Sequence, residues 1–516
     1  MNNLQAFKAL VLYAVLVPVA IFLGYVLSDP MQRSTYITVT LLLAILAAPL
    51  LLRFHYPIML LSWNTTAVLF FLPGRPNIWL ATIAVSFLIA FTQRILDKER
   101  HSIQVPELTR PFIAIVLVTL ITAQLTGGVG VQALGGGVFG GRRYILLWFA
   151  ILGYFALATQ RIPANRAGLY LGLFFLGGVT CFIGDLFPVL GDKIPFLFYV
   201  IPPYNLNVAE LHLGASRLSG LTAASIGVFG FMMAKYGIRG IFMSGKPMRI
   251  VALLIFTGVG LYGGFRSMLL SLLAVFVVQF FLEGLHRTKL LPVFGAILLL
   301  GGAVSVPFIS KLPQTVQRAM AFLPVPIDPI ARESARNSSE WRLQMWRALL
   351  PEVPEHLLLG KGLAISREDL AFSTDYFFQT RTITERDWHA AVVGDYHNGP
   401  LSVIIPFGIW GVLVFVWFMI AALRVLYNNY RYGDPELRVV NTALFAAIIG
   451  KFFMFWFVVG ALATDMLYFA GILGLSVAFN GGMARPALAP QTEPVPARNK
   501  PPVWSRPRPV FGRQLN

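Results

Sequence analysis

Three side chains far apart in the chain could do chemistry together: Arg217, Arg266 and His397. Each stands within a residue or two of the start of an apolar run. An arginine's planar fork donates paired hydrogen bonds to phosphate oxygens and keeps its charge at any working pH. An imidazole can accept a proton from an attacking hydroxyl near neutral pH. Charged side chains at the edge of an apolar span are costly to place and often functional. Two cations and a base at one membrane face would suit transfer of a group from a membrane-anchored diphosphate to a hydroxyl. Arg217 and Arg266 also each open a helix, whose first N–H groups favour an anion. The same spacing admits a plainer reading, in which both arginines reach up to lipid phosphates and His397 caps a helix.

The elements that must position these residues are membrane spans. Of 516 residues, 57% are hydrophobic and only 12% charged, too little charge to cover a soluble protein of this size. Apolar runs of the length a helix needs to cross the hydrocarbon core recur throughout. Alternating ten-residue strands of an outer-membrane barrel are absent from the pattern. The expected fold is all-α, a polytopic membrane protein of about 12–14 transmembrane helices with one large, partly helical external loop. Spans fall near 7–27, 35–52, 57–72, 78–95, 110–126, 144–160, 166–184, 218–235, 249–264, 266–283, 290–310, 399–424, 439–459 and 464–480. The net charge of +18 sits mostly in short loops on every second side, the positive-inside pattern rather than a nucleic-acid footprint. That rhythm assigns both termini to the cytoplasm and leaves Arg33, Arg75 and Arg142/Arg143 as exceptions on the other side.

Four regions follow: spans with short loops over 1–310, the external loop 311–397, C-terminal spans over 398–484, and a proline-rich basic tail 485–516. Within the loop, Ser338 and Ser339 could cap a helix that carries Trp341, Met345, Ala348 and Leu349 on one face. Arg342 and Arg347 could guide an anionic glycan, although a solvated helix face accounts better for Arg342. Tyr396 and Trp388 could stack on sugar rings or anchor at the interface. Asp395 could orient His397 or simply be solvated. Residues 195–204 (PFLFYVIPPY) are too short to span, and 127–143 read as a glycine-rich loop, with no Lys-Ser/Thr to make a phosphate-binding loop. The single cysteine, Cys181, rules out an internal disulfide and reads as a small packed hydrophobe. No metal-ligand motif is present, and neither metal nor cofactor is expected. Lys451, in the middle of an apolar run, is the odd residue; Asp465 or a lipid head group could answer it.

Four patches resemble the O-antigen ligase and O-antigen polymerase family: SRLSG at 216–220, GFRSMLLSLL at 264–273, WRLQMWRALLPEVPEHLLLGKG at 341–362 and HNGPLSVIIPFGIWG at 397–411. They are similar to that family's Arg-x-x-Gly, Ser-Arg-Ser, Arg…Trp…Gly-x-Gly and His-Asn…Gly-x-x-Gly signatures, in the expected order. Phe265 and Leu357 depart from the pattern, without removing a charge. The resemblance implies a metal-independent, inverting glycosyl transferase of the bacterial inner membrane, working at its periplasmic face. Its donor would be a glycan on undecaprenyl diphosphate, its acceptor a hydroxyl of a glycan or lipid-linked sugar, with ligase slightly ahead of polymerase. Arg217 and Arg266 would hold the diphosphate, His397 would activate the acceptor, and Asn398 could position it. A lipid-glycan flippase is the competing class. It would lead one to expect internal repeats and midplane charges, whereas these charges gather at one face.

Overall fold

The computed structural model describes residues 13–14, 17–22, 24–25, 28, 33–72, 74–99, 101–130, 140–203, 218–365, 394 and 396–486. Among them the chain is helical, with no strand beyond isolated bridges such as Val68 with Asn77. The helices that matter here are α1 (Arg33–Ser62), α2 (Ile78–Leu96), α3 (Pro106–Leu125), α4 (Gly141–Leu157) and α5 (Ala164–Asp185, broken by a short 3-10 stretch). They continue as α6 (Ser219–Phe242), α7 (Pro247–Leu261), α8 (Arg266–Leu282), α9 (Leu290–Ile309), α10 (Pro329–Leu349), α11 (Gly399–Tyr432), α12 (Arg438–Phe457) and α13 (Leu462–Asn480). Seven helices among the described residues are long and apolar enough to cross a membrane: α2, α3, α5, α6, α11, α12 (with the turn before it) and α13. The chain is thus an all-α, polytopic membrane protein.

One expectation fails early. The spans drawn at 35–52 and 57–72 are one helix, α1, of 30 residues with Pro49 and Pro57 inside it. Proline breaks a helix reliably in water. Inside an apolar bundle its lost hydrogen bond is tolerated because neighbouring groups satisfy the freed backbone. Residues 63–77 then form a connection, pinned by Val68 N–H donating to Val200 O at 2.8 Å and Ile78 N–H to Ala67 O at 2.8 Å. Counted as one crossing instead of two, α1 would start on the side of the basic loops, and Arg33 would cease to be an exception. This also reverses the side on which a span over 7–27 would begin, and a shared side for the two termini no longer follows from the count.

The bundle centres on α11, α12 and α13, with α4 against α13 and α3 against α11. Phenylalanine rings fill it: Phe415, Phe418, Phe452, Phe455 and Phe469 lie with centroids 4.9–6.4 Å apart. At the end nearer the α11–α12 turn, buried amides close a satisfied network. Asn429 Nδ2 donates to Ser476 Oγ at 2.9 Å, and Asn441 and Asn480 bond reciprocally at 2.9 and 2.8 Å. Such a network costs little once complete and fixes the register of three helices. Cys181 is buried and unoxidised, as read from the sequence. Lys451, six residues from the end of α12, does find Asp465: Nζ lies 2.7 Å from Oδ1, while Oδ2 accepts the Ala461 N–H at 3.1 Å.

α11 is broken at Gly408, where φ is 60° and ψ −158°. The break leaves backbone groups that a low-dielectric bundle cannot leave bare. The loop segment 357–362 supplies their partners. Lys361 N–H donates to Ile405 O at 2.8 Å, Gly362 N–H to Pro406 O at 2.9 Å, and Ile409 N–H to Leu357 O at 2.7 Å. Gly360 (φ 76°) and Gly362 (φ 76°) are left-handed, and a Cβ on Gly360 would strike the Pro406 carbonyl. Beyond the seam, Leu363 N–H donates to Tyr144 Oη at 2.9 Å and its carbonyl accepts from Arg143 Nη2 at 3.0 Å. The Gly-x-Gly and Gly-x-x-Gly patches are therefore the two halves of one joint between loop and membrane helix. Gly360→Ala is expected to cost about 2 kcal/mol or more from the forced conformation and overlap. Gly295→Ala in α9, where nothing lies within 4 Å, should be neutral. Thermal unfolding of the two variants in detergent makes the comparison.

Candidate active site

The loop's main described element is α10, and it starts earlier than the serines suggest. Asp328 caps it, accepting the Ile330 N–H at 2.7 Å, and Pro329 takes the first helical position. That is a stronger start signal than Ser338 and Ser339, which lie inside the helix. Ala331 and Ala335 extend the buried face backwards, and Met345 and Leu349 complete it, while Ala348 is exposed. This face packs on Tyr396, Leu401 and Ile405, which seats α10 on the mouth of α11.

His397 is held at that mouth by bonds on both sides. Trp346 Nε1 donates to Tyr396 O at 2.9 Å, and Asn398 Oδ1 accepts the Leu401 N–H at 3.0 Å as the cap of α11. Between them His397 takes φ 47°, a left-handed conformation rarely adopted by a residue with a Cβ and often found where surrounding contacts over-determine a functional position. Its ring stands against Trp341 of α10, centroids 5.4 Å apart and planes at 69°. Below, Ser402 Oγ donates to Gly399 O at 2.6 Å and accepts the Leu462 N–H at 3.0 Å, so the first turn of α11 also rests on the α12–α13 connection.

Arg266 opens α8 and reaches the same loop helix: its Nη2 donates to Ser339 Oγ at 3.0 Å. At roughly 100° per residue, Ser339 and Trp341 stand at the two edges of the inward face of α10, and Arg342 falls between them. Arg342 is partly buried, its Nε shielded from solvent, so it is not on a solvated face. Arg266 and His397 thus touch the two edges of the inward face of α10, and Arg342 starts from between them. Arg347 is exposed and lies off that face. Tyr396, 3% exposed, is packed into the joint and does not stand open to a sugar. Burial pushes its phenol further above the usual range, the Glu352 carboxylate adding to this and Arg143 opposing it. Its ring packs with Met345, Leu349, Leu401 and Ile405.

Arg217, Trp388 and Asp395 lie outside the described residues. The chain just after Arg217 is described: a Cβ at Gly263 would sit 2.9 Å from the Leu218 carbonyl, three residues before Arg266. The starts of α6 and α8 are therefore neighbours. The expectation that both helix N-termini attract an anion holds less well. Asp185 Oδ2 already accepts the Leu221 N–H at 2.7 Å and also bonds the Gly220 amide, so a carboxylate occupies the start of α6. Close packing also explains Gly220, whose Cβ would strike the Cys181 carbonyl. Sequence reasoning also missed two participants, Trp341 as the ring partner of His397 and Asp185 as the cap. The i,i+5 tryptophan pair was visible in WRLQMW; the Asp185 contact spans 36 residues and had no local signal.

The site and the bundle define a polytopic membrane protein in which the mouth of one long helix is capped by a loop helix that bears an arginine and faces a histidine. Residues 250–416 match the family model described as O-antigen ligase. The matched segment contains three of the four patches; SRLSG at 216–220 precedes it. No curated protein matches the chain.

Asp185→Ala should destabilise the protein by about 1–2 kcal/mol through loss of the α6 cap. Asp185→Asn, which keeps an acceptor oxygen, should cost less; thermal melts of the two in detergent test this. Trp346→Phe should cost about 1 kcal/mol for the bond to the Tyr396 carbonyl, read in the same melts.

Proposed function

We propose that the chain transfers a glycan from undecaprenyl diphosphate to a hydroxyl acceptor at the periplasmic face of the bacterial inner membrane, acting as a ligase. The observation that carries this reading is the contact of Arg266 and His397 with opposite edges of the inward face of α10, through Ser339 and Trp341. His397 accepts the proton as the acceptor oxygen attacks the anomeric carbon. The carbon–oxygen bond to the diphosphate breaks as the new glycosidic bond forms, in one inverting displacement. Arg266, with Arg217 and Arg342, holds the diphosphate and stabilises the charge that grows on its leaving oxygen. Asn398, whose Oδ1 is engaged as the helix cap, has its Nδ2 to offer the acceptor. No step calls on a metal. The restored backbone of α11 keeps His397 still while a large lipid-borne substrate approaches from the side, and correct placement of reacting groups supplies much of the barrier reduction.

The test is the size and anchor of surface glycan in cells lacking the chain and complemented with wild type, His397→Ala or Arg266→Ala. Long chains left on undecaprenyl diphosphate indicate a ligase; single repeat units indicate a polymerase. Loss of the base should cut transfer by about 10²–10⁴-fold, and loss of Arg266 by a comparable factor. Normal glycan with His397→Ala would overturn the transferase reading in favour of a flippase.

A further inference from the structure

Trp341 and Trp346 lie on the same helix and differ in one respect. Trp346 spends its indole N–H on the Tyr396 carbonyl at 2.9 Å. Among the described residues the Trp341 indole N–H is shielded from solvent and has no hydrogen-bond partner. A buried donor left unpaired is unusual, and in native proteins it calls for an explanation. The ring's position narrows the choice. Trp341 stands edge to face with His397, centroids 5.4 Å apart, and precedes Arg342 on the helix that Arg266 reaches through Ser339. A group within hydrogen-bond reach of that indole would lie beside the imidazole that takes the acceptor's proton. Aromatic side chains with a polar handle suit sugars, since the ring covers C–H faces while the N–H meets an oxygen.

We propose that the Trp341 indole N–H is a substrate-orienting donor, binding a hydroxyl or ring oxygen of the acceptor sugar next to the hydroxyl that His397 deprotonates. The proposal rests on the transferase reading above and adds a determinant of acceptor choice to it. A site that hydrogen-bonds one substrate oxygen rejects an analogue lacking it, because the protein donor is then left unpaired. The donor glycolipid has no part in this contact, so the effect belongs to the acceptor alone.

The experiment uses the full chain in lipid nanodiscs with the glycolipid fraction extracted from cells lacking it, which contains undischarged donor and unmodified acceptor, each separable and titrated on its own. Trp341 is changed to Phe, and in parallel to 3-benzothienylalanine by nonsense suppression, which keeps the ring's shape and replaces N–H by sulfur. The expected result is a rise of about tenfold in acceptor KM for both, with donor KM and the pH dependence of kcat as in wild type. Wild-type acceptor KM in the sulfur isostere would overturn the proposal. So would a changed pH dependence of kcat, which would assign the indole to tuning His397, or an equal rise in both KM values, which would assign it to shape. The wild-type chain and His397→Ala on the same substrates separate the two levels: no product from the wild type would sink the transferase reading, and product at the wild-type rate from His397→Ala would sink His397 as the base, whatever Trp341 does.

Discussion

The joint between loop residues 357–362 and the break in α11 is the constraint on which the site depends. Pro406 lacks an N–H, and Gly408 leaves helical geometry, so the helix alone cannot satisfy its own backbone there. In an apolar bundle a bare carbonyl or amide costs several kcal/mol. The loop backbone answers three of those groups directly. A broken helix and an inserted loop, each unfavourable alone, are stable together. The coupling also fixes how far α10 can stand from the mouth of α11, and therefore where Trp341 meets His397.

His397 gains its placement from this arrangement rather than from any local preference. A left-handed conformation at a residue with a Cβ persists only when neighbours impose it. Here Trp346 holds the preceding carbonyl, Asn398 turns the following chain into a helix, and Ser402 ties that helix to the Lys451–Asp465 corner. The polar residue that looked stray in the middle of α12 thus belongs to the support of the site. Its pairing also spares the bundle an unpaired charge, which would cost more than the pair contributes.

The start of α6 offers its amides to Asp185, and Arg266 is oriented by a serine of the loop helix. Guanidinium groups on separate elements can follow a lipid diphosphate as it moves in the bilayer plane, which fixed backbone amides cannot do. This suits a substrate that enters laterally with a long isoprenoid tail, as the proposed chemistry requires.

The sequence by itself determined the class: apolar runs of spanning length, basic loops on alternate sides, and an amphipathic helix in the one long polar loop. It marked Arg217, Arg266 and His397 because ionisable groups at span edges are rare and costly, it marked Arg342 only as a loop cation, and it marked the glycines of both motifs without saying why they were needed. It misread α1, since Pro57 looks like a break when no neighbours are visible, and it misplaced the start of α10, since two adjacent serines drew the cap away from Asp328-Pro329, which the reading did not single out. Tertiary structure decided everything that depends on partners distant in the chain. The carbonyl pairing at Gly360–Gly362, the carboxylate at the start of α6, the burial of Tyr396 and the meeting of Trp341 with His397 join residues tens to hundreds of positions apart. Local pattern reports which face of an element is apolar; which element covers that face is settled only by packing, where close approach of backbones and the need to satisfy every buried polar group leave few arrangements open.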